Sequence, residues 1–493
     1  MKKAILVNIP ITETLYPSGS LAAIIPVFKK HGISTVIEDL NLKLRETVDD
    51  EVLQEIYHWC ELSGNLSEHS KDQLNLWLDD QVKNWHTENL QYVAVSVFTY
   101  HSILFAQMLL WSIRRHLPTV HIIVGGSGVS SNLKDITDHI YFGEQILQKQ
   151  WANSVVFGDG EMVLDALLSG HPYPGLNQNN PVQIDNLDSL AAPDYSDFDF
   201  ERYKDNRLLI TGSRGCVRHC TFCDIDTIWP KFKYRSPENQ VKEIIEHAKK
   251  YKIQRFEFTD SLINGSVSGW IKFNELLANA KAQDADLKDI SYSGQFICRD
   301  RKNQPAIMYE LMHYAGARQI SVGIESFSNK IRDAMKKKFS DSSIEYHLDQ
   351  CARWGIPNIF LMLVGHPEET MIDHQRNIDC LYQFQPYSDM GTIFMIRWGT
   401  TMHILKDTPL ARDGLYDLEH ADYGNAESIY AWVNALNPTN TLAERVRRRL
   451  ELHCLSYELG YSQPNSRAEL VAMYNILEKY QPLKSHKIFP LSK

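Results

Sequence analysis

The chain of 493 residues is longer than one ordinary domain, and roughly 150 residues per domain gives about three. Hydrophobic residues make up 43% and charged residues 23%, the mix of a soluble globular protein, which excludes a disordered, collagenous or coiled-coil chain as a whole. The 51 basic and 61 acidic residues sum to −10, which argues against wholesale nucleic-acid or membrane binding but leaves room for a local basic site.

No run approaches the ~18 uninterrupted apolar residues of a membrane span; the best, Ile359 to Val364, is far too short. Met1 to Ile11 is interrupted by Asn8 and Pro10 and reads as a buried strand, not a signal peptide. Strands alternate with helical stretches from there: Ala4 to Ile9, an amphipathic segment ending near Gly32, then Ser34 to Glu38. Leu42 to Trp85 is polar and helical, and further strands come at Tyr92 to Thr99, His121 to Val124 and Val155 to Phe157. Such alternation, with strands apolar on both faces, implies a doubly wound parallel sheet. A Pro-, Asn- and Gly-rich linker covers Gly170 to Pro193, and Asp194 to Tyr203 is expected to pack on the second domain.

Alternation restarts with strands at Leu208 to Thr211, Arg255 to Thr259, Ile290 to Phe296, Gln319 to Ile324, Ile359 to Val364 and Thr392 to Ile396. Six βα units joined by right-handed crossovers curl toward a partial (β/α)6 barrel. Beyond about Thr401 the pattern is expected to be mostly helical and to lose its strands. This tail carries Arg445, Arg447, Arg448, Arg449, Lys479, Lys484 and Lys487. The Arg447–Arg449 run is expected to be a solvated helix face, and Lys336–Lys338 a helix C-terminus complementing its dipole. The expected domains are 1–190, 191–400 and 401–493.

Eight cysteines are too sparse for a disulfide framework. Three crowd into one loop after the first strand of the second set: Gly212-Ser213-Arg214-Gly215-Cys216-Val217-Arg218-His219-Cys220-Thr221-Phe222-Cys223. Three thiolates at this spacing suit three irons of a [4Fe–4S] cube, leaving the fourth iron open for chemistry. Arg214 and Arg218 would offset cluster charge. The alternatives are a structural zinc site, which wants four ligands and has only an ill-placed His219 to add, or plain packing. Cys60, Cys298, Cys351, Cys380 and Cys454 are scattered and read as packing.

The CxxxCxxC spacing, with Phe222 before the third cysteine, resembles the radical S-adenosylmethionine (SAM) enzymes. Later strand ends are similar too: Thr259-Asp260-Ser261 where the family meets the SAM amino group, Val322-Gly323-Ile324-Glu325-Ser326 near its ribose and carboxylate, and Leu363-Val364-Gly365 near adenine. The family often has glycine at the position of Leu361. The resemblance implies Cys216, Cys220 and Cys223 as cluster ligands. It implies Phe222, Thr259, Asp260, Ser261, Glu325, Ser326, Leu363 and Gly365 as SAM contacts.

The strand ends of the first domain read Pro17-Ser18-Gly19, Ser96-Val97-Phe98-Thr99, Gly125-Gly126 and Gly158-Asp159-Gly160-Glu161. Together with the linker Leu190 to Tyr195, they resemble the cobalamin-binding domain of the B12-dependent radical-SAM branch. The resemblance implies cobalamin contacts at Pro17, Ser18, Gly19, Ser96, Phe98, Thr99, Gly125, Gly126, Gly158, Gly160 and Glu161. No Asp-x-His-x-x-Gly motif offers a lower axial histidine; Asp138-His139 has the wrong spacing.

The implied chemistry is reductive cleavage of SAM to a 5′-deoxyadenosyl radical, hydrogen abstraction from an unactivated C–H bond, and methyl transfer from methylcobalamin to carbon. The alternative is a non-methylating radical reaction such as cyclisation, ring contraction or oxidation, with cobalamin bound or lost. A remoter one is a non-catalytic cobalamin- or nucleic-acid-binding protein. A flavodoxin- or ferredoxin-like electron donor, a cytoplasmic location and no membrane or nucleic-acid partner are expected. Tyr292, Gln295, Arg299, Arg397 and Trp398, on or after late strands, are the candidate substrate contacts.

Overall fold

The computed structural model describes residues 2–12, 14–62, 66–85, 88–130, 140–401, 408–413, 416–418, 432–434 and 436–461. Its first strand, β1 (Lys2–Asn8), is buried from Ala4 onward on both faces, as strands flanked by helices on either side must be. α1 (Gly19–Lys30) comes next, capped by Ser18, and then β2 (Ile33–Asp39). The polar helical stretch resolves into α2 (Leu40–Thr47), α3 (Asp50–Leu62) and α4 (Glu68–Lys83). β3 (Leu90–Ser96), α5 (Ile103–His116), β4 (His121–Gly125), α6 (Phe142–Gln148), β5 (Ser154–Val155) and α7 (Gly160–Leu168) complete the sheet and its helices.

The strands pair in parallel in the order β2-β1-β3-β4-β5. Ala4 lies opposite Thr35 on one side and Tyr92 on the other. The strand order therefore reverses between β1 and β3, and crevices for ligands open at such switch points beyond the carboxyl ends of the strands. Val7, Val93, Val95, Ile122 and Val124 form the core with Phe105 and Leu109 of α5. The segment after the linker packs as expected. Tyr195 is fully buried and its hydroxyl donates to the Leu209 carbonyl at 3.0 Å, while Asp194 pairs with Lys29 at 2.7 Å.

The second alternation runs β6 (Leu208–Ile210), β7 (Ser213–Arg214), α8 (Ile225–Ile228), β8 (Lys233–Tyr234), α9 (Pro237–Tyr251), β9 (Arg255–Phe258), α10 (Val267–Gln283) and β10 (Ser291–Phe296). It continues with α11 (Ala306–Ala315), β11 (Ala317–Glu325), α12 (Asn329–Ala334), α13 (Asp341–Trp354), β12 (Asn358–Val364), α14 (Met371–Asp389) and β13 (Ile393–Thr401). The strand order β13-β12-β11-β10-β9-β6 keeps to chain order, as in a partial (β/α)6 barrel. The short pair β7–β8 is antiparallel and folds the start of the cysteine loop back on itself.

After α15 (Pro409–Asp413), the expected loss of strands is corrected. β14 (Tyr416–Leu418) pairs antiparallel with β15 (Trp432–Asn434) before α16 (Leu442–Glu458). Three-residue strands are too short to leave a period in the sequence. Lys479, Lys484, Lys487 and the Asp138-His139 pair lie outside the described residues. By contact density the chain forms two compact units: 1–217 with 224–292, and 218–223 with 293–422 and the C-terminal segment from 429.

Two turns at the carboxyl edge of the first sheet need glycine for packing. A Cβ on Gly126 (φ +101°) would stand 2.4 Å from the Val97 carbonyl, and one on Gly158 (φ +84°) 2.3 Å from the Val182 nitrogen. Gly170 (φ +74°) has nothing within 4 Å. Chemical denaturation is therefore expected to show Gly126→Ala and Gly158→Ala losing about 3 kcal/mol each, and Gly170→Ala only about 1 kcal/mol.

Candidate cofactor site

In the first unit, β6 delivers the chain to the cysteine loop, and Asp260 holds that loop from behind. Its carboxylate accepts the Gly212 N–H at 2.8 Å and the Ser213 hydroxyl. Burial pushes the Asp260 carboxyl up to about 7, against the hydrogen bonds from Ser213 and Gly212 that pull it down. This corrects the expected SAM contact at Asp260: the side chain is turned into the protein. Its neighbour Thr259 stays exposed and meets the Thr211 hydroxyl at 3.0 Å, while Ser261 is half-buried.

Arg214, two residues before Cys216, does not stand free to offset cluster charge. It is clamped by Asp159 at 2.8 Å and by Glu161 at 2.5 Å, both from the β5–α7 turn. Asp159 also accepts from the Trp229 indole at 2.7 Å and the Ile184 N–H at 2.6 Å. Burial would lower the pKa of the Arg214 guanidinium, and the two carboxylates more than reverse it. Glu161, an expected cobalamin contact, is thus already engaged. The N-terminal sheet and the approach to Cys216 are one electrostatic piece.

The other strand ends divide into packing and surface. Gly19 lies against Leu209, where a Cβ would come within 2.8 Å of its side chain, and Pro17 is buried. Ser18 caps α1, and Ser96 meets Ser20 at 3.2 Å. The tight clearances at Gly126 and Gly158 explain both glycines without a ligand. Phe98, 56% exposed at the end of β3, offers apolar surface beside the switch point. Thr99 is half-buried there, while a Cβ on Gly125 or Gly160 would make only ordinary contacts.

In the second unit, Cys220 and Cys223 bracket Phe222, whose ring joins Leu363, Leu410 and Ala411 around buried Ile331, Met335 and Trp432. The Thr221 N–H is held by the Met335 carbonyl at 3.2 Å. Lys337 reaches the same place: its ammonium lies 5.6 Å from the Phe222 ring centre and 2.7 Å from Glu325 at the end of β11. Burial alone would lower the Lys337 pKa. The charges of Glu325, Cys220 and Cys223 outweigh it and hold the ammonium above its ordinary value.

The expected helix C-terminus is present at the start of Lys336–Lys338: α12 ends at Ala334, and left-handed Lys336 (φ +59°) closes it, its N–H on the Asp333 carbonyl and that of Lys337 on the Arg332 carbonyl, both at 2.9 Å. What is corrected is Lys337, which is turned inward between exposed Lys336 and exposed, left-handed Lys338 (φ +56°). Glu325 itself sits at φ +65°. Left-handed backbone costs a non-glycine residue roughly 1–2 kcal/mol, so strain is concentrated around one buried ion pair. A lysine triplet hid this residue; only the reversal of burial from one lysine to the next reveals it.

Ser326, expected near SAM, is fully buried and engaged by the Ser328 N–H at 3.2 Å, with Asn377 behind it at 3.4 Å; it shapes the turn. Leu363 lies on the half-buried side of β12. Among the candidate substrate contacts, Tyr292 is corrected: its ring is buried with Trp270, Phe273 and Phe258, and its hydroxyl bonds Asn274. Strand alternation sends it under α10. Trp398 is likewise buried, its indole donating to Ser456 at 2.7 Å. Gln295 and Arg397 are exposed and Arg299 is half-buried.

Among the described residues, which include all eight cysteines, there is no disulfide, and no three His, Cys, Asp or Glu side chains surround one point as ligands of a single ion would. Three thiolates of a cubane each take a different iron and stand wider apart than ligands of one zinc. The donor set, three cysteine thiols on one glycine-bearing loop with a buried cation beside two of them, suits a cluster of that kind.

Residues 210–381 match the family model of the radical SAM superfamily, so the chain carries a radical SAM domain. It is 23% identical over 268 residues to an uncharacterised methyltransferase of Pyrococcus horikoshii, covering 49% of this chain and 55% of that one. It is 22% identical over 236 residues to the anaerobic magnesium-protoporphyrin IX monomethyl ester cyclase of Synechocystis, covering 43% and 44%. The chain thus spans about half the length of these curated relatives. Its fold is that of the radical SAM methyltransferase TsrM of Kitasatospora setae. The TM-score is 0.66 at 15% identity, over 97% of this chain and 99% of that one. TsrM has been solved with tryptophan and a SAM analogue, and with cobalamin and a [4Fe–4S] cluster. No helix among the described residues is long and apolar enough to cross a membrane.

The raised Asp260 pKa has a consequence for stability. The unfolded chain releases this proton near its ordinary value of 3.8 and the folded chain near 7, so stability is lost as pH rises between the two. Asp260→Asn is expected to flatten the fall in denaturation midpoint between about pH 5 and 7.5. A fall of unchanged slope would contradict the assignment.

Proposed function

We propose that the protein is a cobalamin-dependent radical SAM enzyme that methylates carbon. The observation that carries this reading is the pairing of two features on one chain: a CxxxCxxC loop in a radical SAM domain, preceded by a parallel sheet whose strand order reverses between β1 and β3. The functional division we adopt is 1–190 for cobalamin, 191–400 for the cluster and SAM, and 401–493 for a supporting C-terminal region.

When bound, the cluster supplies the electron that cleaves SAM and the cobalamin supplies a methyl carrier, chemistry that no side chain can perform. The residues bind, orient and shield. Cys216, Cys220 and Cys223 would hold three irons of a [4Fe–4S] cluster, whose fourth iron would be free of protein ligands. Lys337, held by Glu325, places fixed positive charge beside Cys220 and Cys223 and keeps N–H donors for an anionic group such as the SAM carboxylate. Phe222 and Leu363 close the apolar side of the site. Thr259 and Gly365, each at a strand end of its own unit, are the remaining positions that the family resemblance assigns to SAM. On the N-terminal sheet, Phe98, Thr99, Gly125 and Gly160 are the strand-end positions left for a corrin. An electron donor of flavodoxin or ferredoxin type and a cytoplasmic location accord with an oxygen-sensitive cluster. The likeness to a cyclase supports a second reading, a non-methylating radical reaction on the same scaffold.

Anaerobic protein reconstituted with iron, sulfide and cobalamin should convert SAM to S-adenosylhomocysteine and 5′-deoxyadenosine under reduction, both read by mass spectrometry. Cys220→Ala is expected to abolish both and to lower iron from about four per chain. Lys337→Met should keep the iron and lose at least about tenfold in SAM turnover. Formation of 5′-deoxyadenosine without S-adenosylhomocysteine would favour the non-methylating reading.

A further inference from the structure

The arginine-rich stretch of α16 is not a solvated face. Arg447 alone lies on the surface, paired with Glu444 and Glu451, while Arg445, Arg448 and Arg449 are buried. Arg449 donates to the Trp398 carbonyl of β13 at 3.2 Å, whereas Arg445 and Arg448 bury against the turn after β12, Gly365-His366-Pro367-Glu368-Glu369. Asn440 donates to the His366 carbonyl at 2.9 Å, and Asn437 to the carbonyls of Pro367 at 2.9 Å and Glu369 at 3.2 Å. The Glu369 side chain accepts the Gly365 N–H at 2.8 Å through one oxygen and faces Arg448 at 3.3 Å through the other.

Arg445 fills the space where any other residue at 365 would carry its Cβ: that atom would stand 2.2 Å from the Arg445 Cδ, and Gly365 is at φ +89°. The Arg445 guanidinium lies 3.9 Å over the Trp432 ring and donates to the Trp432 carbonyl at 3.1 Å. Trp432 in turn shares its small core with Phe222 and Leu363. One segment of the C-terminal region therefore backs both the turn after β12 and the phenylalanine between two cluster cysteines.

A buried ion pair adds little net stability, because desolvation offsets most of the attraction; where one persists, its geometric demand is what distinguishes it from apolar packing. Glu369 and Arg448 each also bind a neighbour, the Gly365 amide and Glu444, so the pair transmits the position of α16 to the end of β12. We propose that α16 is a positioning element of the SAM site. The Arg448–Glu369 pair, with Arg445 beneath Gly365, fixes the β12 turn in the conformation that receives the adenosyl moiety. This rests on the radical SAM reading of the cysteine loop. Arg445, Arg448 and Glu369 act through the turn and are not themselves SAM ligands.

The test uses the full-length, cluster-loaded protein and the double variant Glu369→Gln/Arg448→Met, which removes both charges and leaves neither stranded. Iron content, amide exchange at Gly365 and SAM affinity by equilibrium dialysis are compared with the unaltered protein. The expected result is unchanged iron, faster exchange at Gly365 and SAM binding weakened about tenfold. Arg448→Lys, which keeps the charge, should recover part of that affinity. Unchanged SAM affinity, whether or not exchange quickens or the melting temperature falls, overturns the proposal, since α16 would then be fold support alone. Unaltered protein that holds its iron but binds no SAM overturns the functional reading, and this proposal falls with it. If the double variant fails to fold, Asn440→Ala, which removes one hydrogen bond to the same turn, is read by the same criteria.

Discussion

A buried ammonium is tolerated only where its environment supplies compensating charge, and the second unit is arranged around one. Lys337 is carried inward by two left-handed lysines, met by a left-handed Glu325 and laid over Phe222. The left-handed backbone and the burial of the ammonium are each unfavourable alone, and the ion pair and the aromatic face offset them. Together they fix the end of β11, the stretch after α12 and the second half of the cysteine loop in one arrangement. The thiolates of Cys220 and Cys223 complete the balance. A site that gathers negative sulfur and positive nitrogen under an apolar ring is suited to an anionic cluster and an amino-acid-like ligand.

The first unit solves a related problem differently. There the positive charge near the cysteine loop, Arg214, is taken up by Asp159 and Glu161, and the loop is steadied from behind by the buried Asp260. The gain is rigidity, since a charged fork held by two carboxylates tolerates little displacement. It also ties the turn after β5 directly to the residues that precede Cys216.

The strands were legible because each carries a short apolar run or an apolar alternation, β1 buried on both faces and β9 to β12 alternating between buried and more open positions, and all eleven expected strands are present within a few residues at either end. The cysteine loop was legible because its spacing is chemical and not merely structural. What could not be read was direction. Asp260, Ser326 and Tyr292 stand where the resemblance or a strand end put them, yet each points into the protein. Lys337 and the α16 arginines failed for the opposite reason. A run of like charges looks solvated, and only tertiary partners far along the chain, Glu325 and Glu369, make burial possible. Short elements such as β7, β8, β14 and β15 leave no period to detect.

The central claim is that one chain holds two cofactors. Anaerobic purification from cells supplied with cobalamin, with iron analysis and absorption spectra before and after dithionite, tests it most directly. The account predicts roughly four irons per chain, a cluster band that bleaches on reduction, and retained cobalamin bands. Zinc in place of iron would contradict the radical mechanism, and a cluster without cobalamin would contradict the role given to the N-terminal sheet.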